Sequence, residues 1–413
     1  SEFLERADGT PVSLRFVQNM ATQAIDTTWE FHGDKVKQIS RVGGQETVKE
    51  LSAPTEPWLT AYKSWKYVRE QQKADVKEFS FKSINPENGI KLVTITSKNA
   101  GESEFEFDGK KVPVHVWKSI TDIMPIESTE YYDTSGRKLY EETPTGLGKI
   151  AQRAATKDQA MADVGGEVPE LLERSFIKPS KPIENSMKAT TAKLKLTAKE
   201  GTLPALPSAG GQRVEMADDR KTAILTININ DSLPATSGDA DNSQYTEPNT
   251  MVDYEDALIV KLSGGAKDAT TDMERAVRLR QIAHDRISKK GMATAFACAS
   301  ETAKTKTGDC SEHGVLLCAL LRAQDIPARV AMGLVYADQF MGGQGIFGWH
   351  MWTQALVDGK WVDLDATLPV RYNAAHVLTT TSALADGLGT SDMASILTLI
   401  GNMDIEVLEV GYD

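Results

Sequence analysis

Val315-Leu316-Leu317-Cys318-Ala319-Leu320-Leu321 is apolar on every side that a helix could present. A helix of that composition has no face for water, so it is a buried helix and its neighbours must supply the covering layers. Directly before it stands Thr307-Gly308-Asp309-Cys310-Ser311-Glu312-His313-Gly314. Glycine and aspartate suit a turn, so the helix is expected to start at Cys310. Unpaired backbone N–H groups and the positive end of the helix dipole favour an anion there. A thiol in such a place has more thiolate character, and thiolate is the nucleophilic form.

The rest of the chain limits what that helix can belong to. At 413 residues it is too long for one ordinary core, and two or three domains are expected. A hydrophobic share of 40% with 25% charged residues is that of a soluble globular protein. The net charge of −12, with no basic stripe, argues against a nucleic-acid partner. No apolar run approaches the ~18 residues that a membrane span needs. Cys298, Cys310 and Cys318 are the three cysteines, an odd and clustered set that argues for a reactive thiol over a disulfide framework. The chain starts at Ser1, not methionine, from which removal of a leading segment and a periplasmic or secreted (extracytoplasmic) location are expected.

Three regions are expected. Residues 1–175 read as a β-rich domain with one helix and a polar connector, partly helical over 155–185. Alternation marks Lys91–Thr96, Glu104–Phe107 and Val112–Trp117 as strands, with Asn88-Gly89 and Asp108-Gly109 as turns and a further strand pair within Tyr131–Leu139. Trp58, Tyr62, Trp65 and Val68 recur at helical spacing, an aromatic stripe expected to pack on the sheet rather than line a groove. Residues 176–250 read as a small β-sandwich-like domain plus linker, with Ala192–Leu196 and Thr222–Ile229 as its clearest strands. Residues 251–413 mix helix and strand. Thr271-Asp272-Met273-Glu274 is a capping-box pattern opening a helix whose stripe is Met273, Ala276, Leu279, Ala283 and Ile287.

A thiolate that attacks an amide needs a proton donor for the departing amine. Histidine suits that role near neutral pH, and a carboxylate fixes its tautomer. Gly348–Val357 reads as a strand, Asp358-Gly359 as a two-residue turn, and Lys360–Thr367 as the partner strand. In regular register Val357 faces Lys360, Leu356 faces Trp361, Trp352 faces Asp365 and His350 faces Thr367. His350 and Asp365 then share one side, a diagonal step of roughly 7–8 Å apart at the backbone. A slip of one residue would separate them.

These motifs together resemble the core of the transglutaminase-like superfamily: Gly308-Asp309-Cys310, Ala319-Leu320-Leu321-Arg322-Ala323-Gln324-Asp325-Ile326-Pro327-Ala328-Arg329, His350-Met351-Trp352 and Asp365-Ala366-Thr367. Ala366 departs from the commoner D-P-T wording, but the carboxylate is kept. The resemblance covers roughly residues 252–380. It implies an α+β fold class, a papain-related catalytic core preceded by β-rich domains, and chemistry on glutamine side chains or on peptide and amide bonds. Cys310, His350 and Asp365 would be its catalytic triad. The partner expected is a protein or peptide substrate, and no cofactor is required.

Blander readings stand beside these. Cys318 lies among leucines and reads as core, as does Cys298. His313 shares a helix face with Cys310, and with Cys298 and His350 it could complete a metal set, but the tight paired spacings of zinc sites are missing, so no metal is expected. Trp349 and Trp352 flank His350. Both are candidate substrate-binding residues, and core packing is an equal expectation for Trp352. His32, His115, His284 and His376 have no acidic partner in an interpretable motif and read as structural. The alternative function is a non-catalytic binding or scaffold protein with a transglutaminase-like module. Degenerate members lose a triad residue, whereas this sequence keeps all three.

Overall fold

The computed structural model describes residues 1–20, 23–42, 45–123, 126–145, 148–162, 175–291, 297–340, 343–386 and 394–412. Residues 163–174 of the expected connector lie outside that set. Ser1–Arg15, Thr28–Gln38 and Glu50–Arg174 form one compact unit; Phe16–Thr27, Ile39–Lys49 and Ser175–Asp413 form the other.

In the first unit a six-stranded sheet runs Gly148–Arg153, Lys138–Thr145, Ser128–Asp133, Lys110–Thr121, Leu92–Phe107, Glu78–Ile84 from edge to edge. It is a meander, as the alternation and the turn residues lead one to expect. Asp108 and Gly109 adopt φ of 51° and 72°, closing a two-residue hairpin that an ordinary side chain would strain. Phe79, Trp117 and Tyr132 form a buried aromatic cluster on this sheet, and Tyr67 and Val68 of the helix Ala61–Lys73 lie on it. That corrects the expected packing of the whole aromatic stripe. Tyr62 and Trp65 are 55% and 48% exposed and stack on each other. Among the described residues, Tyr67 and Val68 are the helix's apolar contacts with the sheet's aromatic cluster.

In the second unit a four-stranded antiparallel sheet has the order Gln212–Met216, Thr222–Asn228, Thr191–Ala198, Met403–Gly411. Leu194, Leu196, Leu225, Ile227, Ile405 and Val407 fill its inner face, while the alternating Lys193 and Lys195 point away from the core. The fourth strand comes from the far end of the sequence.

The remaining elements frame the candidate site. They are the helices Asp272–Arg286 (α1) and Cys310–Arg322 (α2), and the strands Ala328–Phe340 (β1), Gly343–Val357 (β2), Lys360–Leu364 (β3) and His376–Ser382 (β4). The strand order is β3-β2-β1-β4, antiparallel throughout. Every residue of α2 from Ser311 to Arg322 is buried, as an all-round apolar helix requires. β1 and β2 cover one flank of α2, and α1 with the short helix Ala299–Thr305 covers others. Gly314 sets how closely α2 lies on β2: a Cβ there would stand 3.2 Å from Met351 Cγ. The α+β class with a β-rich region ahead of this core is therefore the observed one.

The β2–β3 hairpin turns at Asp358 and Gly359, with φ of 50° and 71°. Its register is the expected one, with Val357 opposite Lys360, Leu356 opposite Trp361 and Thr353 opposite Leu364. The ladder stops there. Asp365 bonds instead to Arg371, its N–H donating to the Arg371 carbonyl at 2.7 Å. The expected pairings of Trp352 with Asp365 and of His350 with Thr367 are absent from that ladder, because the chain turns away at Asp365.

Candidate active site

Cys310 is the first residue of α2, and Asp309 before it is the N-cap. Asp309 Oδ1 accepts from the Ser311 N–H at 2.9 Å, and Glu312 Oε2 accepts from the Asp309 N–H at 2.9 Å, completing a capping box. Glu312 Oε1 also accepts from the Ala297 N–H at 3.0 Å, so one buried carboxylate ties the helix start to a neighbouring segment. Burial, with the Asp309 charge beside it, pushes the Glu312 carboxyl up to about 7. Gly308 makes room for this side chain, since a Cβ at 308 would lie 2.3 Å from Glu312 Cβ. Gly308→Ala is therefore expected to destabilise the fold by about 1–3 kcal/mol through overpacking. Urea denaturation checks it, and an unchanged midpoint would show that the turn adapts freely.

His350 lies on β2 opposite Gly333 of β1. Its side chain is 7% exposed, and its Nε2 is 2.7 Å from Asp365 Oδ2. The Cys310 side chain is near enough to the ring to act on its charge. With Nε2 held by the carboxylate, Nδ1 is the nitrogen left for the thiol. Burial alone would lower the His350 pKa, but the Asp365 charge and hydrogen bond, joined by those of Cys310, raise it to about 10. Cys310, His350 and Asp365 thus come together from a helix start, a strand and the end of the next strand.

Asp365 is fully buried and saturated with N–H groups. Its Oδ1 accepts from the Thr367 and Leu368 N–H groups at 2.7 and 3.3 Å. Its Oδ2 faces His350 Nε2 and, at 3.2 Å, His376 Nε2. Burial would raise this carboxyl, but the charge and hydrogen bonds of His350, followed by those of His376, hold it well below the carboxylate range. The main chain is pinned too: Arg280 Nε on α1 donates to the Asp365 carbonyl at 2.6 Å, and its terminal nitrogen donates to the Leu368 and Val370 carbonyls.

Arg280 and His376 were not singled out from the sequence. Arg280 falls four residues after Ala276, on the apolar stripe of α1, and a charged residue on a buried stripe is a signal that could have found it. His376 reads from the sequence as structural without an acidic partner, whereas the structure gives it Asp365.

Trp352 is 1% exposed. Its ring stacks near-parallel to His350 at a centroid distance of 6.3 Å, and its Nε1 donates to Asp363 Oδ1 at 2.8 Å. It packs behind the imidazole, in the core. Trp349 is half-buried and packs on the cluster that holds Leu334, Phe347, Ile405 and Val407, with Leu334 as its cross-strand neighbour. Cys298 and Cys318 are buried, and none of the three cysteines is in a disulfide. His313 is buried with Nδ1 2.5 Å from the Asp309 carbonyl, and burial lowers its pKa. Among the described residues, the side chains close enough to surround an ion are those of His350, Asp365 and His376, a set that includes neither Cys310 nor His313. Their facing atoms are two ring nitrogens within hydrogen-bond distance of one carboxylate oxygen, an arrangement that orients the rings.

Residues 257–366 match the family described as the transglutaminase-like superfamily. Among solved structures, a candidate cysteine protease from Cytophaga hutchinsonii is similar at 14% identity and a TM-score of 0.32, over 55% of this chain and 86% of that one. The periplasmic domain of TgpA from Pseudomonas aeruginosa, bound to ethylmercury, is similar at 12% identity and a TM-score of 0.32, over 49% and 94%. A candidate protease from Parabacteroides distasonis is similar at 12% identity and a TM-score of 0.20, over 85% and 68%. No curated protein matches.

Proposed function

From a chain that carries a transglutaminase-like segment at residues 257–366, we propose a cysteine-dependent acyl-transfer enzyme acting on peptide or glutamine amide bonds. The observation that carries this reading is the buried 2.7 Å contact between His350 Nε2 and Asp365 Oδ2, with Cys310 near enough to act on the same ring. Cys310 Sγ attacks the amide carbonyl, and an S–C bond forms as the carbonyl electrons move to oxygen. A backbone N–H at the start of α2 helps to hold that oxyanion. The C–N bond then breaks, and His350 gives its proton to the departing amine. The resulting thioester passes its acyl group to water or to an amine, and His350 takes the proton of the incoming nucleophile. Asp365 keeps the ring oriented and stabilises its cationic form. An extracytoplasmic site of action belongs to the same proposal.

The test is release of ammonia from a glutaminyl peptide, or of a new amino terminus from a cleaved one, with and without an added amine. Cys310→Ser is expected to remove about 10³-fold or more of the turnover. Iodoacetamide should label Cys310 ahead of the buried Cys298 and Cys318. Equal, slow labelling of all three would favour the scaffold alternative. Turnover should also fall as pH rises through about 10, where His350 loses the proton the leaving amine needs. A kcat/KM profile rising steadily through that range would remove His350 from the role of acid.

A further inference from the structure

His376 is the first residue of β4, is fully buried, and lies on the same carboxylate oxygen as His350. Both of its ring nitrogens face acceptors. Nδ1 is 3.0 Å from the Asn373 main-chain oxygen and 3.2 Å from Asn373 Oδ1, and the Ala375 N–H donates to that same Oδ1 at 2.9 Å. Nε2 is 3.2 Å from Asp365 Oδ2. A neutral imidazole has one N–H and can satisfy one side only, while an imidazolium satisfies both. The carboxylate is the stronger acceptor, so a single proton belongs on Nε2, and a second has a place waiting opposite Asn373.

The groups around the ring favour one use of this arrangement. Asp365 and Asp363 come from the end of β3, His350 from β2, and Tyr372 from the preceding loop lies against the ring, tilted by 33° at a centroid distance of 4.3 Å. When His350 is an imidazolium, it neutralises Asp365 and disfavours a second cation beside it. Once His350 has passed its proton to a leaving amine, the cation left beside Asp365 is Arg280, which bonds its main-chain carbonyl and not its carboxylate. The buried charge thus loses its direct ionic partner, a costly state.

We propose that His376 is a positioning residue that shares Asp365 with His350, donating its Nε2–H to the carboxylate and keeping that charge anchored while His350 is without its proton. This rests on the acyl-transfer reading, which gives His350 two protonation states in each turnover. Burial draws His376 towards the neutral form against the pull of Asp365, and the His350 charge adds to burial. The ring is therefore a donor that yields to His350 when His350 is charged.

Histidine NMR of the full chain tests this directly. In ¹⁵N-histidine-labelled protein, the His376 signal, identified by its loss in His376→Gln, is expected to show a protonated Nε2 at neutral pH. A bare Nε2 with the proton on Nδ1 would overturn the proposal. The second measurement is the titration midpoint of His350 in a Cys310→Ser background, where the sulfur's part in raising that midpoint is removed. His376→Leu leaves the whole carboxylate charge to His350 and should raise the midpoint by about one pH unit. His376→Gln, whose amide N–H can replace the Nε2 donor, should return it to the parent value. A midpoint unmoved by leucine, or moved equally by both variants, would mean that the ring only fills space. Should the leucine variant fail to fold, the parent tautomer and the glutamine variant decide. Loss of amide turnover in Cys310→Ser tests the acyl-transfer reading separately, so the two can fail independently.

Discussion

Asp365→Asn is expected to lower turnover of an amide substrate by about 10³–10⁴-fold while leaving a folded protein. The substitution keeps the shape and removes the charge. An asparagine that points its NH₂ group at His350 Nε2 makes that nitrogen an acceptor and moves the ring proton to Nδ1, where the thiol needs a base. If its oxygen faces the rings instead, the tautomer survives but the charge that holds the His350 pKa near 10 is gone. Stability changes with a definite sign. Asp365 has a depressed pKa in the fold, so its contribution is present above the ordinary carboxyl range and is lost as pH falls through the folded value. His350 has a raised pKa, so its contribution is fully present below about 6.5 and is lost as pH rises through about 10. The wild type should therefore exceed Asp365→Asn in Tm by the largest margin between about pH 4 and 6.5, with the gap closing towards pH 10. Turnover within tenfold of wild type, or a Tm gap independent of pH, would defeat this account of the pair.

Arg280→Met should be the more damaging change to the fold. Methionine fills much of the same volume but strands the carbonyls of Asp365, Leu368 and Val370, all of which the guanidinium now satisfies from one side chain. Each buried acceptor left alone costs about 1–3 kcal/mol, and because the three share a loop that can relax, a total on the order of 3–5 kcal/mol is expected. The loop also carries Asp365, so a displacement of about 1 Å should cost turnover about 10²-fold beyond the loss of folded protein. Arg280→Lys should recover little, since one ammonium cannot reproduce a fork spanning three carbonyls. Urea titration gives the first quantity and kcat on the folded fraction the second. A methionine variant with near wild-type stability would mean that the loop is held by other contacts.

What the sequence made legible follows from how local each signal was. The α2 start is a local signal: an apolar run preceded by a glycine–aspartate turn. The β2–β3 register was also readable, because Asp358-Gly359 fixes a two-residue turn and the pairings are then counted outwards. The count misses where the ladder ends, which depends on Arg280 and Arg371 pulling the chain away at Asp365. His376 was beyond reach for a topological reason. β3 and β4 lie at opposite edges of the sheet, yet the loop between them brings the ring back to Asp365, and no local periodicity encodes that return. The Tyr62 and Trp65 stripe failed for a different reason: helical spacing tells which side chains share a face, not whether anything lies against it.

Pairing of Met403–Gly411 with Thr191–Ala198 joins positions about two hundred residues apart in the chain. Leu334, Phe347 and Val377, on the underside of the β1–β2–β4 sheet, pack into the same cluster as Ile405 and Val407. During synthesis, then, the floor beneath the histidine strands stays unfinished until Met403–Gly411 has been added, and closing so long a loop is slow. The thiol's partners gain a rigid footing late, which delays any reactivity they confer. A chain halted before Met403 would hold an open strand edge and a bare apolar floor, the kind of surface that draws chaperones or aggregates.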